Sequence, residues 1–96
     1  MARTYHLYMM ASRRNGTIYT GVTGDLAARA YQHRNGEGSE FTARYGVTRL
    51  VYAEEYNDVH EAIAREKAIK KWRRAWKVAR IERDNPEWND LFEVIL

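Results

Sequence analysis

The rhythm of apolar and polar positions changes several times along this chain, and each change marks an element. Tyr5 to Met10, YHLYMM, is a short apolar run that reads as a strand. The following RRNG supplies a turn, with Asn15-Gly16 as a hairpin signal, and Thr17 to Val22 gives a second strand rich in branched residues. Strict alternation there puts Tyr19 and Gly21 on one face and Ile18, Thr20 and Val22 on the other. Thr23 or Asp25 then caps a helix running from Asp25 to about Arg34, whose packing positions are Leu26, Ala30 and Tyr31. Asn35 to Ser39, NGEGS, ends it with glycines suited to positive φ.

Beyond that point EFTARY reads as a loop or a single turn, and a third strand is expected from about Val47 to Tyr56. Asp58 caps one long helix, His60 to Asp84, which Pro86 forces to stop. Its period of 3.6 gathers Ala62, Ile63, Ile69, Trp72, Trp76 and Ala79 into one broad apolar stripe. The tail is expected to form a short helix, with Trp88, Leu91 and Phe92 folding back onto the core. No repeat, linker or low-complexity tract interrupts the series, so residues 1–96 are read as one domain. The order strand, strand, helix, strand, helix predicts a small α+β fold: one antiparallel sheet covered by helices.

Composition narrows the function classes. At 45% hydrophobic and 30% charged, the chain has enough apolar and aromatic residues to offset the ordering entropy, which argues against disorder. It has no cysteine, which removes disulfides and thiolate zinc sites and fits a reducing compartment. His6, His33 and His60 lack metalloprotease spacing. The apolar patch near the start is too short for a signal sequence, so a cytoplasmic location is expected, with no membrane partner.

The net charge of +3 conceals a strong local bias. Arg65, Lys67, Lys70, Lys71, Arg73, Arg74, Lys77 and Arg80 place eight of sixteen basic residues within sixteen positions, opposed there only by Glu66. Such a stripe attracts polyanions, although a solvated helix face has the same composition. Glu66 projects from the apolar stripe or its edge, where a carboxylate requires a cation, a hydrogen-bond network or a metal ion. An ion pair with Lys70 or Arg29 would satisfy it, and Mg²⁺, which uses one or two carboxylates, is the metal it would suit. Arg29 and His33 are neighbours on one helix face at i, i+4. Tyr8 and Tyr19 suit half-buried strand positions.

Taken in order, Leu7-Tyr8, Tyr19-Thr20-Gly21, the helix bearing Arg29 and the later helix bearing Glu66 resemble the GIY-YIG nuclease domain over about Tyr5 to Trp76. The likeness is closest to the small stand-alone bacterial members. It is more distant to the amino-terminal domain of the bacterial excision-repair incision subunit. The first motif tyrosine maps onto Tyr8, the second onto Tyr19, the motif glycine onto Gly21, the arginine onto Arg29, the metal-binding glutamate onto Glu66 and a branch-specific histidine onto His33. His6 occupies the first motif's glycine position and Thr20 the second motif's isoleucine.

The resemblance implies a three-stranded antiparallel sheet flanked by helices and a metal-dependent endonuclease acting on DNA, with RNA also open, in repair or recombination. It implies that Glu66 holds one divalent cation, Mg²⁺ or Mn²⁺, and that Tyr8 or Tyr19 orients and deprotonates the attacking water. Arg29 would hold phosphate oxygens, and His33 would relay a proton or bind phosphate. Lys70, Lys71, Arg73, Arg74 and Lys77 then read as backbone contacts with little sequence preference, so either a branched, damaged or single-stranded substrate or a protein partner is expected to supply specificity to a monomer or weak homodimer. Two other readings compete: a DNA-binding module without turnover, and a basic amphipathic helix serving a membrane or protein partner.

Overall fold

The computed structural model describes residues 3–95. Its elements are β1 (Tyr5–Ala11), β2 (Ile18–Thr23), α1 (Leu26–Arg34), α2 (Glu40–Tyr45), β3 (Arg49–Tyr56), α3 (Val59–Lys70), α4 (Arg74–Asp84) and α5 (Phe92–Ile95). The three strands form one antiparallel sheet in the order β2-β1-β3, as the α+β expectation requires. The apolar run of β1 follows from its place at the centre, since helices cover both of its faces. Leu7, Met9 and Ala11 point to one side, into a core with Val51, Ile69, Ile81 and Trp88. Tyr8 and Met10 point to the other, against Leu26, Ala30, Val47 and Leu50.

Local chemistry sets most of the boundaries. The Asp25 carboxylate accepts from the Ala28 amide at 3.1 Å and starts α1, while Asp58 accepts from His60 at 2.8 Å and starts α3. The segment expected as a loop or single turn is a six-residue helix, α2, opened by a Ser39–Thr42 capping box and closed by Gly46 at φ 62°. Trp88 is fully buried, with its indole N–H donating to Glu82 at 2.8 Å, and Leu91 and Phe92 pack on the Tyr8 side of the sheet. The tail therefore folds back as expected. Tyr31 differs: it is 57% exposed, with its ring 6.4 Å from that of Phe92.

The single long helix expected from His60 to Asp84 is two helices. Lys71 and Trp72 donate backwards to Ala68 and Ile69 in a tight turn, and Arg73 is extended at ψ 149°. No glycine or proline causes this break; packing does. In one straight helix Ile69 and Ile81, twelve residues apart, would point about 120° away from each other. Both are buried in the same core, which only a change of direction permits. The break also carries Trp76 out of the apolar stripe, leaving it 53% exposed instead of in the core. Trp72 stays half-buried between the guanidinium groups of Arg65 and Arg80, 5.0 and 5.6 Å from its ring.

Glu54 on β3 ties this joint to the sheet. It accepts from Arg65 at 2.9 Å, lies 3.7 Å from Arg80, and also accepts from the hydroxyls of Tyr52 and Tyr56. Burial alone would raise its pKa, but the hydrogen bonds from Arg65 and the two tyrosines outweigh that and hold it down at about 2.

Candidate active site

The site is built where the second core meets the edge strand β2. Tyr8 on β1 and Gly21 on β2 are register partners, and Tyr19 pairs with Met10 one step along the same face. The glycine has a specific reason to be there. A Cβ on Gly21 would lie 2.7 Å from the Tyr8 hydroxyl and 2.8 Å from its Cζ, so bare backbone is what lets the phenol lie across β2. The Tyr8 and Tyr19 rings stand 6.3 Å apart, and the imidazole of His33 lies 5.7 Å from the first and 5.4 Å from the second.

From the sequence His33 shares a helix face with Arg29, which leaves its burial open; in the structure it is only 1% exposed. Its Nε2 is 2.9 Å from the Tyr8 hydroxyl and its Nδ1 is 3.1 Å from Thr42 Oγ1. Thr42 Oγ1 also accepts from the Ser39 amide and lies within hydrogen-bond distance of the Ser39 carbonyl and hydroxyl, so it ties the ring to the start of α2. Both ring nitrogens are thus satisfied, one by the Tyr8 hydroxyl and the other by Thr42. Gly38 closes over the imidazole so tightly that a Cβ there would overlap Nδ1. Ser39, Thr42 and Gly38 are thus supporting residues that sequence reasoning missed. The Ser-x-x-Thr spacing of a capping box was the available signal.

The electrostatics bring the remaining motif residues to this cluster. Burial raises the pKa of Tyr8; the nearby Tyr19 and Glu66 push it further, and Arg29 pulls against them. Burial lowers the pKa of His33, and the Arg29 charge adds to the effect, so the ring is held neutral. Arg29 on α1 and Glu66 on α3 thus bias the Tyr8 phenol in opposite directions, while the Arg29 guanidinium itself donates to Gln32 at 3.3 Å. The Glu66 carboxylate is 21% exposed and pairs with the 52% exposed Lys70 across one helical turn at 3.5 Å. The ion pair anticipated from sequence is thus made with Lys70, in a setting open to water.

Beside these residues Ile18, Tyr19, Thr20, Phe41, Lys70 and Lys77 line a pocket of about 360 Å³. A larger hollow of about 540 Å³, lined by Trp72, Trp76, Ala79, Arg80 and Arg83, contains none of the motif residues, so size does not locate the chemistry. The basic residues divide. Lys70 and Lys77 join the Tyr19 pocket. Lys71 is exposed, and Arg73 stacks over the ring of Trp76 at 5.6 Å. Arg74 is spent elsewhere, donating to the carbonyls of Asn15 and Gly16 at 2.8 and 2.7 Å and bracing the β1–β2 turn.

Among the described residues no group of three or more His, Cys, Asp or Glu side chains is placed to share a metal ion. Glu66 alone fits a hard cation that keeps most of its water, and it does not fit a closed structural zinc site. No helix among the described residues is long and apolar enough to cross a membrane.

Residues 4–79 match the family model described as the GIY-YIG catalytic domain. A UPF0213 protein of Staphylococcus epidermidis is 35% identical over 77 residues, covering 80% of this chain and 94% of that relative. Another, from Lacticaseibacillus paracasei, is 33% identical over 86 residues, covering 90% of this chain and 96% of its own. The solution structure of a UPF0213 protein from Bacillus halodurans superimposes with a TM-score of 0.56 at 25% identity, covering 91% of this chain and 92% of that one. With the strand order and the clustered tyrosines already agreeing, the chain belongs to the GIY-YIG family and is similar to its small UPF0213 members.

Proposed function

We propose that the chain is an endonuclease that hydrolyses DNA phosphodiester bonds with low sequence specificity, dependent on Mg²⁺ or Mn²⁺. One observation carries the reading: the Tyr8 phenol is hydrogen-bonded to His33 and in ring contact with Tyr19, which opens onto a pocket with two lysines. Residues from β1 and α1 meet there, and Lys70, the ion-pair partner of Glu66, lines the adjacent pocket with Tyr19 and Lys77.

Phosphodiester hydrolysis requires an oriented water, stabilisation of the developing phosphoryl charge, and help for the leaving oxygen. Tyr19 lines the pocket, so its hydroxyl is the one that meets water and orients the nucleophile. Tyr8 is 2% exposed and its pKa is raised, so it keeps its proton at neutral pH. Its role is positioning: it fixes Tyr19 by ring contact and gives the site a proton path to Nε2 of His33. Arg29, always charged, holds phosphate oxygens with its planar fork. Glu66 is the side chain that would hold the cation; when bound, such an ion supplies Lewis-acid stabilisation of phosphate and leaving-group charge. Lys70 and Lys77 draw the strand's backbone to the pocket.

The purified protein, Glu66→Gln and Arg29→Ala are incubated with plasmid and branched oligonucleotides in Mg²⁺, Mn²⁺ or EDTA. Cutting that needs metal and falls by about 10²-fold or more in both variants is expected. One observation favours a second reading: the Glu66 charge is already matched by Lys70. Tight DNA binding by the wild type with no cutting under any metal would select a DNA-binding module without turnover.

A further inference from the structure

Most large apolar side chains of the Tyr8 face are buried, yet α2 turns two aromatic rings outward. Phe41 is 44% exposed and Tyr45 50% exposed, one helical turn apart with ring centroids at 4.9 Å. They continue a row that begins inside the site: Tyr8 meets Tyr19 at 6.3 Å, and Tyr19 meets Phe41 at 6.2 Å. Folding does not require this row to reach solvent, because α2 is already anchored through buried Thr42 and its capping box. Cations flank it. Lys70 and Lys77 share the pocket with Phe41, and the Arg44 guanidinium lies 5.6 Å from the Tyr45 ring, with Glu40 the acid beside them.

Flat apolar rings beside positive charge suit a polyanion that offers free π-faces, which is an unpaired nucleic-acid strand. An intact duplex hides its base faces in the stack and presents only groove edges and phosphates. We propose that Phe41 and Tyr45 are a stacking platform for one or two unpaired bases next to the scissile phosphate, so that the site takes single-stranded or locally opened DNA in preference to intact duplex. This inference rests on the nuclease reading of the adjacent pocket and names its substrate class.

The test is a binding measurement with the full chain in EDTA. The probes are a fluorescein-labelled single strand, its duplex, and the same strand with several central abasic positions. The wild type is expected to bind the single strand more tightly than the duplex at equal salt. Phe41→Leu and Tyr45→Leu keep apolar volume but lose the ring. Each should weaken single-strand binding by about five- to tenfold, leave duplex binding within about twofold, and not change affinity for the abasic strand. Phe41→Tyr should restore binding. Thermal melting controls for folding, which half-exposed positions are expected to tolerate.

Equal or tighter duplex binding by the wild type overturns the inference, as does an equal loss on both forms in the leucine variants. So does DNA binding unchanged by either variant when Phe41→Leu abolishes self-association in sedimentation, since the patch is then an interface between copies. Absence of cutting in Mg²⁺ or Mn²⁺, with the ring-dependent single-strand preference intact, retires the nuclease reading alone. Cutting by the wild type, with leucine variants that keep its strand preference, retires the stacking platform alone.

Discussion

Replacing Gly21 with alanine adds one methyl group where the structure has no room for it. The new Cβ would stand 2.7 Å from the Tyr8 hydroxyl oxygen, 2.8 Å from Cζ and 3.0 Å from Cε1. The phenol cannot swing clear, because it is 2% exposed and its oxygen is held 2.9 Å from His33 Nε2. Overpacking of this kind costs about 1–3 kcal/mol. Alanine loses less backbone freedom on folding than glycine, which returns about 0.5–1 kcal/mol. The expected net loss therefore lies between about 0 and 2.5 kcal/mol, with a centre near 1 kcal/mol that corresponds to roughly 4–8 °C in Tm for a domain of this size. The two effects separate in the double variant Gly21→Ala/Tyr8→Phe. Removing the hydroxyl relieves the closest contact but not the one at Cζ, so stability should return only in part while cleavage stays low. Circular dichroism melts and a plasmid-nicking assay read both quantities. A Gly21→Ala protein that melts and cuts like the wild type would refute the claim that bare backbone at this position seats the tyrosine.

Two further predictions concern the parts that hold the site in place. The pKa of Glu54 is lowered from 4.5 to about 2, so its contribution is complete above about pH 4.5 and is lost as pH falls toward 2. The shift corresponds to about 3 kcal/mol at most. Urea melts between pH 7 and 3 should show the wild type losing that stability on acidification and Glu54→Gln starting lower with a flatter profile. Parallel profiles for the two proteins would remove Glu54 as the anchor of Arg65 and Arg80. Arg74→Ala should cost about 1–3 kcal/mol by freeing the turn carbonyls of Asn15 and Gly16, with little change in the salt dependence of DNA binding. Lys77→Ala should do the reverse, leaving the melt unchanged and reducing the slope of log K against log salt by about one. An exchange of those two phenotypes would show that the basic residues have been assigned to the wrong tasks.

The residues differ in how readily they disclosed their place. Strand alternation was enough to put Tyr19 and Gly21 on one face, and the registers with Met10 and Tyr8 follow that alternation. His33 misled because spacing from Arg29 defines a helix face but does not say whether another element covers it. The covering element is α2 with Gly38 and Ser39 just before it, a stretch expected to form a loop or single turn. The break between α3 and α4 was hidden for a different reason. Lys71, Trp72 and Arg73 contain no helix breaker, so the chain turns only because Ile69 and Ile81 must both reach one core. Their twelve-residue separation, out of phase with a single stripe, was the legible clue. Trp76 was drawn into the expected stripe by the same error.

That joint has a consequence for how sequences of this kind can drift. No continuous ladder of amide bonds runs from α3 into α4, so the rotational phase of one helix is not transmitted to the other. In an unbroken rod, gaining or losing one residue would swing every later side chain by about 100°. At Lys71–Arg73 the same change can be absorbed by the turn, with Glu66 keeping its place on α3 beside Lys70 and Ile81 keeping its place in the core. The acid that would carry the metal is thereby insulated from variation in the helix beyond it.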